Sequence, residues 1–232
     1  MMRSRAMRGA SQARRLLSPM LRSWYRLMVL GADQVPADGA VILAANHLGF
    51  LDVPVLAAAC PRPVRTLAPD ELFVPPLDRM SSAAGQISLR GDGADVAALR
   101  LAREVLAAGE AVAVFPEAQR GDGRVARIRH EAAYLALRSG APVVPVALLG
   151  TRHTGMAADA LPRKNARVAV VFGEPFMLQT GDDVFRRCVI ASAGESMRQR
   201  LADLAQDSQE LTGIRLPDDF PTLDSQPARS SR

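Results

Sequence analysis

Cysteine, histidine and lysine are all scarce in this chain of 232 residues, which has two cysteines and three histidines. Cys60 and Cys188 stand alone, with no CxxC pair and no ligand-rich neighbourhood, which points away from a disulfide framework and toward two buried thiols in a reducing compartment. A zinc site needs several ligands at regular spacing, and His47, His130, His153 and the cysteines show none. Lys164 is the single lysine, a bias from which no function follows. Nucleotide signatures are missing too: GDGADV at 91–96 and GDGR at 121–124 lack the GxGxxG and GxxxxGK[ST] patterns and put an acid where a phosphate would sit. There is no GxSxG elbow, and neither cysteine has a histidine beside it, so no nucleophile of the chain's own is evident. Neither a metal nor a cofactor is implied.

Acids are absent from residues 1–30, which hold Arg3, Arg5, Arg8, Arg14, Arg15, Arg22 and Arg26; the net charge of +5 is therefore a property of this segment. Nucleic acid is one partner for such a stretch, but the interspersed Leu16, Leu17, Met20, Leu21, Trp24, Tyr25, Leu27, Met28 and Leu30 argue against it. With Ser18 as N-cap and Pro19 as first helical residue, Met20, Trp24, Leu27 and Met28 share a helix face opposite Arg22 and Arg26. Such a basic amphipathic helix suits an anionic membrane surface, where each arginine contributes on the order of 1 kcal/mol; docking on the protein's own core is the equal alternative. No apolar run approaches the roughly 20 residues that span a bilayer, and no small-residue cleavage site marks a secretory signal. Any membrane contact is expected to be peripheral, at the cytoplasmic face.

What the chain does have is nearly half its residues apolar, 48%, enough for one substantial core. Short apolar runs at 40–45, 64–68, 86–90, 111–115, 142–148 and 167–173 predict strands, and patterns at 53–59, 94–108, 129–139 and 182–205 predict helices. Continuous rather than alternating apolar strands imply a sheet covered on both faces, hence a single α/β domain with a mainly parallel central sheet flanked by helices. The expected division is a basic segment 1–30, a domain 31–206, and a disordered or loosely draped tail 207–232 rich in Pro, Ser and acids.

In such sheets functional groups gather at the carboxyl ends of strands. Asn46-His47 follows the first strand, Arg90 ends the third, and Phe115-Pro116-Glu117 with Arg120 ends the fourth. A sharp turn between His47 and Asp52 brings the carboxylate to Nδ1–H and leaves Nε2 outward as a general base; a histidine beside a helix-capping acid is the purely structural alternative. With no nucleophile in the chain, the activated hydroxyl belongs to a substrate, and Arg90 and Arg120 are candidates to grip its phosphate.

Taken together, NHLGFLD at 46–52, GQISLR at 85–90, FPEAQR at 115–120 and APVVPVAL at 141–148 resemble, in order and spacing, the glycerolipid acyltransferases of the 1-acylglycerol-3-phosphate acyltransferase type, over residues 30–180. The resemblance implies His47 and Asp52 as the catalytic pair, and Asn46, Arg90, Phe115, Pro116, Glu117 and Arg120 as substrate-binding positions. It further implies acyl-CoA or acyl-carrier protein as donor and a lysophospholipid as acceptor, most simply 1-acylglycerol-3-phosphate, giving phosphatidate. The chain departs from the pattern at Gly49, where serine is usual, at Ala118 and Gln119 in place of Gly-Thr, and at Glu131 in place of glycine. These departures leave open a different lysolipid or glycolipid acceptor, or a membrane-associated lipid-binding module without turnover.

Overall fold

The computed structural model describes residues 2–69, 86–89, 95–178 and 187–219, with the side chains of 2–8, 13, 69 and 89 left aside. Among these residues the strands are β1 (Arg26–Leu30), β2 (Val41–Ala45), β3 (Val64–Pro69), β4 (Ile87–Leu89), β5 (Ala111–Val114), β6 (Val143–Leu149) and β7 (Arg167–Phe172). The helices are α1 (Met2–Trp24), α2 (Asp52–Ala59), α3 (Val96–Ala107), α4 (Glu131–Ser139) and α5 (Arg187–Thr212). One sheet of seven strands runs β1-β7-β6-β2-β5-β3-β4, parallel at every pairing except β6 with β7.

Both faces of the sheet are covered, as its unbroken apolar strands require. From β2, Ile42 and Ala44 face a core closed by α3, α4 and Met197 of α5, while Val41, Leu43 and Ala45 face α2 with Leu21 and Tyr25. A third cluster packs Ala147, Leu149, Ala169 and Val171 against Ala205, Ile214 and Leu216. The caps fit their residues: the Asp95 carboxylate accepts from Ala97 N and Ala98 N at 3.0 Å, and Gly140 closes α4 in the left-handed region at φ 63°.

Three expectations need correction. The basic helix begins at Met2 and carries Pro19 inside it, and it stops at Trp24; Leu27 and Met28 lie in β1, paired with Val168 and Ala169 of β7. RLMVL satisfies both helical and strand periodicity when short, and the open edge of β7 decides between them. The expected tail is ordered through Asp219: α5 runs to Thr212, and Ile214 and Leu216 are buried; residues 220–232 lie outside the described residues. Of the two thiols, Cys60 is buried, and burial pushes its pKa up, but Cys188 is exposed.

Candidate active site

β2 lies at the middle of the sheet, flanked by β6 and β5, so the turn after Ala45 sits where the carboxyl ends of three strands meet. His47 and Asp52 are brought together there: Nδ1 of His47 lies 2.7 Å from Oδ2 of Asp52. Asp52, the first residue of α2, is wholly buried and also accepts from Leu48 N at 2.6 Å, Gly49 N at 2.8 Å and the Thr151 hydroxyl. Because every neighbour donates to this carboxylate, the hydrogen of the contact sits on Nδ1, and Nε2 lies on the far side of the ring. Nε2 makes no hydrogen bond with any described residue. The Phe115 ring packs on the imidazole, centroids 4.4 Å apart and tilted 31°.

Glu117 is bound to the same turn. Its Oε1 accepts the backbone N–H of His47 at 2.8 Å. Burial pushes its pKa up to about 7, with the charges of Asp122 and Asp52 adding to the rise and the backbone N–H groups of His47 and Val125 opposing it. Arg120 is half-buried with its guanidinium over the Phe50 ring, 5.9 Å from the centroid, and has no carboxylate partner among the described residues. Arg90 lies outside the described residues. Pro116 is buried, and its carbonyl accepts from Arg129 N at 2.7 Å, which sets the course of the chain leaving the motif.

Asn46 is turned into the protein. It is fully buried, its Oδ1 accepting from Leu148 N at 2.7 Å while its Nδ2 donates to Leu148 O at 3.0 Å and Gly123 O at 3.4 Å. These bonds make a clamp from the end of β2 to β6 and the 121–125 loop, and leave Asn46, named above as a binding position, with no exposed surface. Ala118 keeps a glycine-like backbone, φ 58°, on an exposed turn closed by Ala118 N to Phe115 O at 3.0 Å, so its methyl points no crowding at the buried pair. Glu131 opens α4 and lines a cleft of about 690 Å³ with Val96, Leu99, Ile128 and Tyr134, rimmed by Arg100, Arg103 and Arg129.

Thr151 and Arg152 escaped the sequence reading although both are fully buried beside the pair. The strand-end rule that marked His47 applies equally to the residues beyond β6, and would have marked them. Gly123 was likewise passed over: at φ 72°, a Cβ there would lie 2.5 Å from Leu48 Cδ2 and 2.7 Å from Asn46 Nδ2.

A three-layer α/β fold with a buried carboxylate against a histidine at the tip of its central strand has the geometry that proton transfer requires. The family model named Acyltransferase matches residues 26–149, and the chain belongs to that family. An uncharacterised protein of Mycobacterium tuberculosis is 34% identical over 156 residues, covering 60% of this chain and 42% of its own. A 1-acyl-sn-glycerol-3-phosphate acyltransferase of Chlamydomonas reinhardtii is 32% identical over 133 residues, covering 55% of this chain and 40% of its own. The chain thus spans about two fifths of the length of these curated relatives. The crystal structure of the 1-acyl-sn-glycerophosphate acyltransferase PlsC from Thermotoga maritima shares the fold, with a TM-score of 0.58 and 23% identity over 85% of this chain and 80% of that one.

Proposed function

We propose that the protein transfers a fatty acyl group from a thioester, acyl-CoA or acyl-carrier protein, to the free hydroxyl of a lysophospholipid, 1-acylglycerol-3-phosphate first among them. The single observation that carries this reading is the 2.7 Å contact from His47 Nδ1 to Asp52, which leaves Nε2 as the free base. Nε2 takes the proton of the acceptor hydroxyl; the oxygen attacks the thioester carbonyl; the C–S bond breaks, and the leaving thiolate regains the proton from the imidazolium. Asp52 holds the tautomer and stabilises the imidazolium. Arg120, free of carboxylates among the described residues, together with Arg90 would hold the acceptor phosphate by charge-assisted hydrogen bonds. The apolar cleft beside α3 and α4, with its arginine rim, offers room for an acyl chain.

Association with an anionic membrane at its cytoplasmic face is part of the same reading. No described helix is long and apolar enough to cross a membrane. On α1, Leu16, Met20 and Trp24 are 73%, 53% and 50% exposed at four-residue spacing, with Arg15 and Arg22 exposed close by.

The deciding assay mixes purified protein with lysophosphatidate and acyl-CoA and follows thiol release, then repeats it with acyl-carrier protein and with other lysolipids. His47→Ala is expected to lower turnover by about 10²–10⁴ with the circular dichroism spectrum unchanged. Near-normal turnover in that variant would refute the mechanism.

A further inference from the structure

Arg152 is a full-length cationic side chain with no exposed surface, and its partners do not lie within its own loop alone. Nη1 donates to Met156 O at 3.1 Å and to Asp219 Oδ1 at 2.9 Å, while Nη2 donates to Asp219 O at 2.6 Å and Gly121 O at 3.2 Å. Nε has no partner among the described residues. Burying a guanidinium is a poor way to gain stability, since its desolvation offsets most of the attraction, and a buried ion pair is better suited to fixing one arrangement of the chain.

The arrangement fixed here is that of the two loops holding the catalytic pair. Gly121, which receives Arg152 through its carbonyl, gives its N–H to His47 O at 2.8 Å. Thr151, the residue before Arg152, gives its hydroxyl to Asp52 Oδ1. The third party is the segment after α5. Leu216 N donates to Gln209 Oε1 at 2.9 Å, Asp218 N to the Thr154 hydroxyl at 3.1 Å, and Gly155 N to Asp219 Oδ2 at 2.7 Å. On its other side Asp218 pairs with Arg124 at 2.8 Å.

We propose that residues 213–219 act as a latch across the two loops, with Arg152 and Asp219 as its clasp, and that these are positioning residues for the proton transfer of His47. The clasp fastens the 121–125 loop to the 151–156 loop, so that Gly121 and Thr151 hold His47 and Asp52 from opposite sides. Releasing Asp219 frees Thr151 and Gly121 to drift, and Asp52 no longer aims the ring at one spot. Neither residue touches substrate. The loss therefore falls on kcat and leaves KM for either substrate near its starting value.

The latch rests on the reaction proposed above, and two readouts keep them separable. Asp219→Ala removes the carboxylate contacts of the clasp, to Arg152 Nη1 and Gly155 N, with Glu210→Gln on α5 as control. Turnover is expected to fall at least tenfold, toward the 10²-fold that a shift of about 1 Å costs, with KM within twofold, and Asp219→Asn, which keeps an acceptor facing Nη1 but turns an NH2 toward the Gly155 N–H, is expected to restore part of it. Independently of activity, the His47 Nδ1–H proton resonance, assigned against His47→Ala, is expected to move or broaden in Asp219→Ala and not in Glu210→Gln. An unchanged resonance with unchanged kcat overturns the latch, as does a loss confined to KM or to thermal stability. Absence of turnover in the unaltered protein with every acceptor would sink the proposed reaction, while the resonance would still decide the latch. If Asp219→Ala fails to fold, Arg152→Lys takes its place, with the same resonance as the criterion.

Discussion

A carboxylic acid beside a histidine usually acts by its charge, but the contact that Glu117 makes does not require one. Its Oε1 receives the His47 N–H, an interaction that a neutral acid or an amide can also make. With its pKa raised from 4.5 to about 7, the folded protein holds the Glu117 proton over a pH range in which the unfolded chain has lost it. Folded molecules then bind more protons than unfolded ones, so stability is complete below that window and falls as pH rises through it. Glu117→Gln keeps the acceptor and deletes the titration. Urea unfolding is expected to show the unaltered protein losing on the order of 1–3 kcal/mol more than the variant between pH 5 and pH 8. Parallel curves would show that Glu117 carries no such penalty. The contact between His47 and Asp52 was legible in the sequence because it depends on a five-residue turn, whereas the contact of Asn46 with Leu148 was not, because the two lie 102 positions apart.

The elements that hold the site are short and irregular, and their backbone is unusual where the site is tightest. In the loop after β5, Ala118, Gly123 and Val125 all have positive φ, and Val125 is both β-branched and fully buried. A β-branched residue in that region is strained, and it persists only because the surroundings over-determine it. The fixing contacts are its own carbonyl, bonded from Arg198 Nη1 at 3.3 Å, and its N–H, which donates to Glu117. Gly123 cannot be replaced without pushing on the Asn46 clamp. Gly123→Ala is expected to cost about 2–4 kcal/mol, from the left-handed backbone and overpacking together, and to lower turnover. Thermal unfolding within a degree of the unaltered protein would show that Leu48 and Asn46 yield freely. Regular elements were legible by contrast: six of the strands lie where the apolar runs predicted them, because a strand buried on both faces writes its burial directly into composition.

For the whole molecule, α1 docks one face on the core and leaves the other exposed, and the proposed membrane contact rests on that exposed face. Leu21 and Leu17 pack toward α2, and Arg14 Nε donates to Cys60 O at 2.8 Å, while Leu16, Met20 and Trp24 stay outside. Deleting residues 1–30 would also delete β1, so such a truncation would confuse anchoring with folding. The triple substitution Leu16→Glu, Met20→Glu, Trp24→Glu spares both. Co-sedimentation with vesicles containing anionic lipid is expected to fall several-fold in that variant at low salt, because the apolar face is lost and three acids oppose the neighbouring arginines. Undiminished binding would locate the anchor elsewhere.

Composition and local pattern determined the fold class, the places of most strands and the pairing of His47 with Asp52, because each depends on burial or on a contact within a few residues. Tertiary structure alone decided that RLMVL is an edge strand, that 213–219 lies against the 151–156 loop, that Thr151 bonds Asp52, and that Asn46 and Arg152 tie together the neighbouring loops. Those outcomes rest on partners about 30 to 140 positions away. A chain carries no local record of which distant groups will satisfy its polar atoms; only the packed sheet brings them within bonding distance.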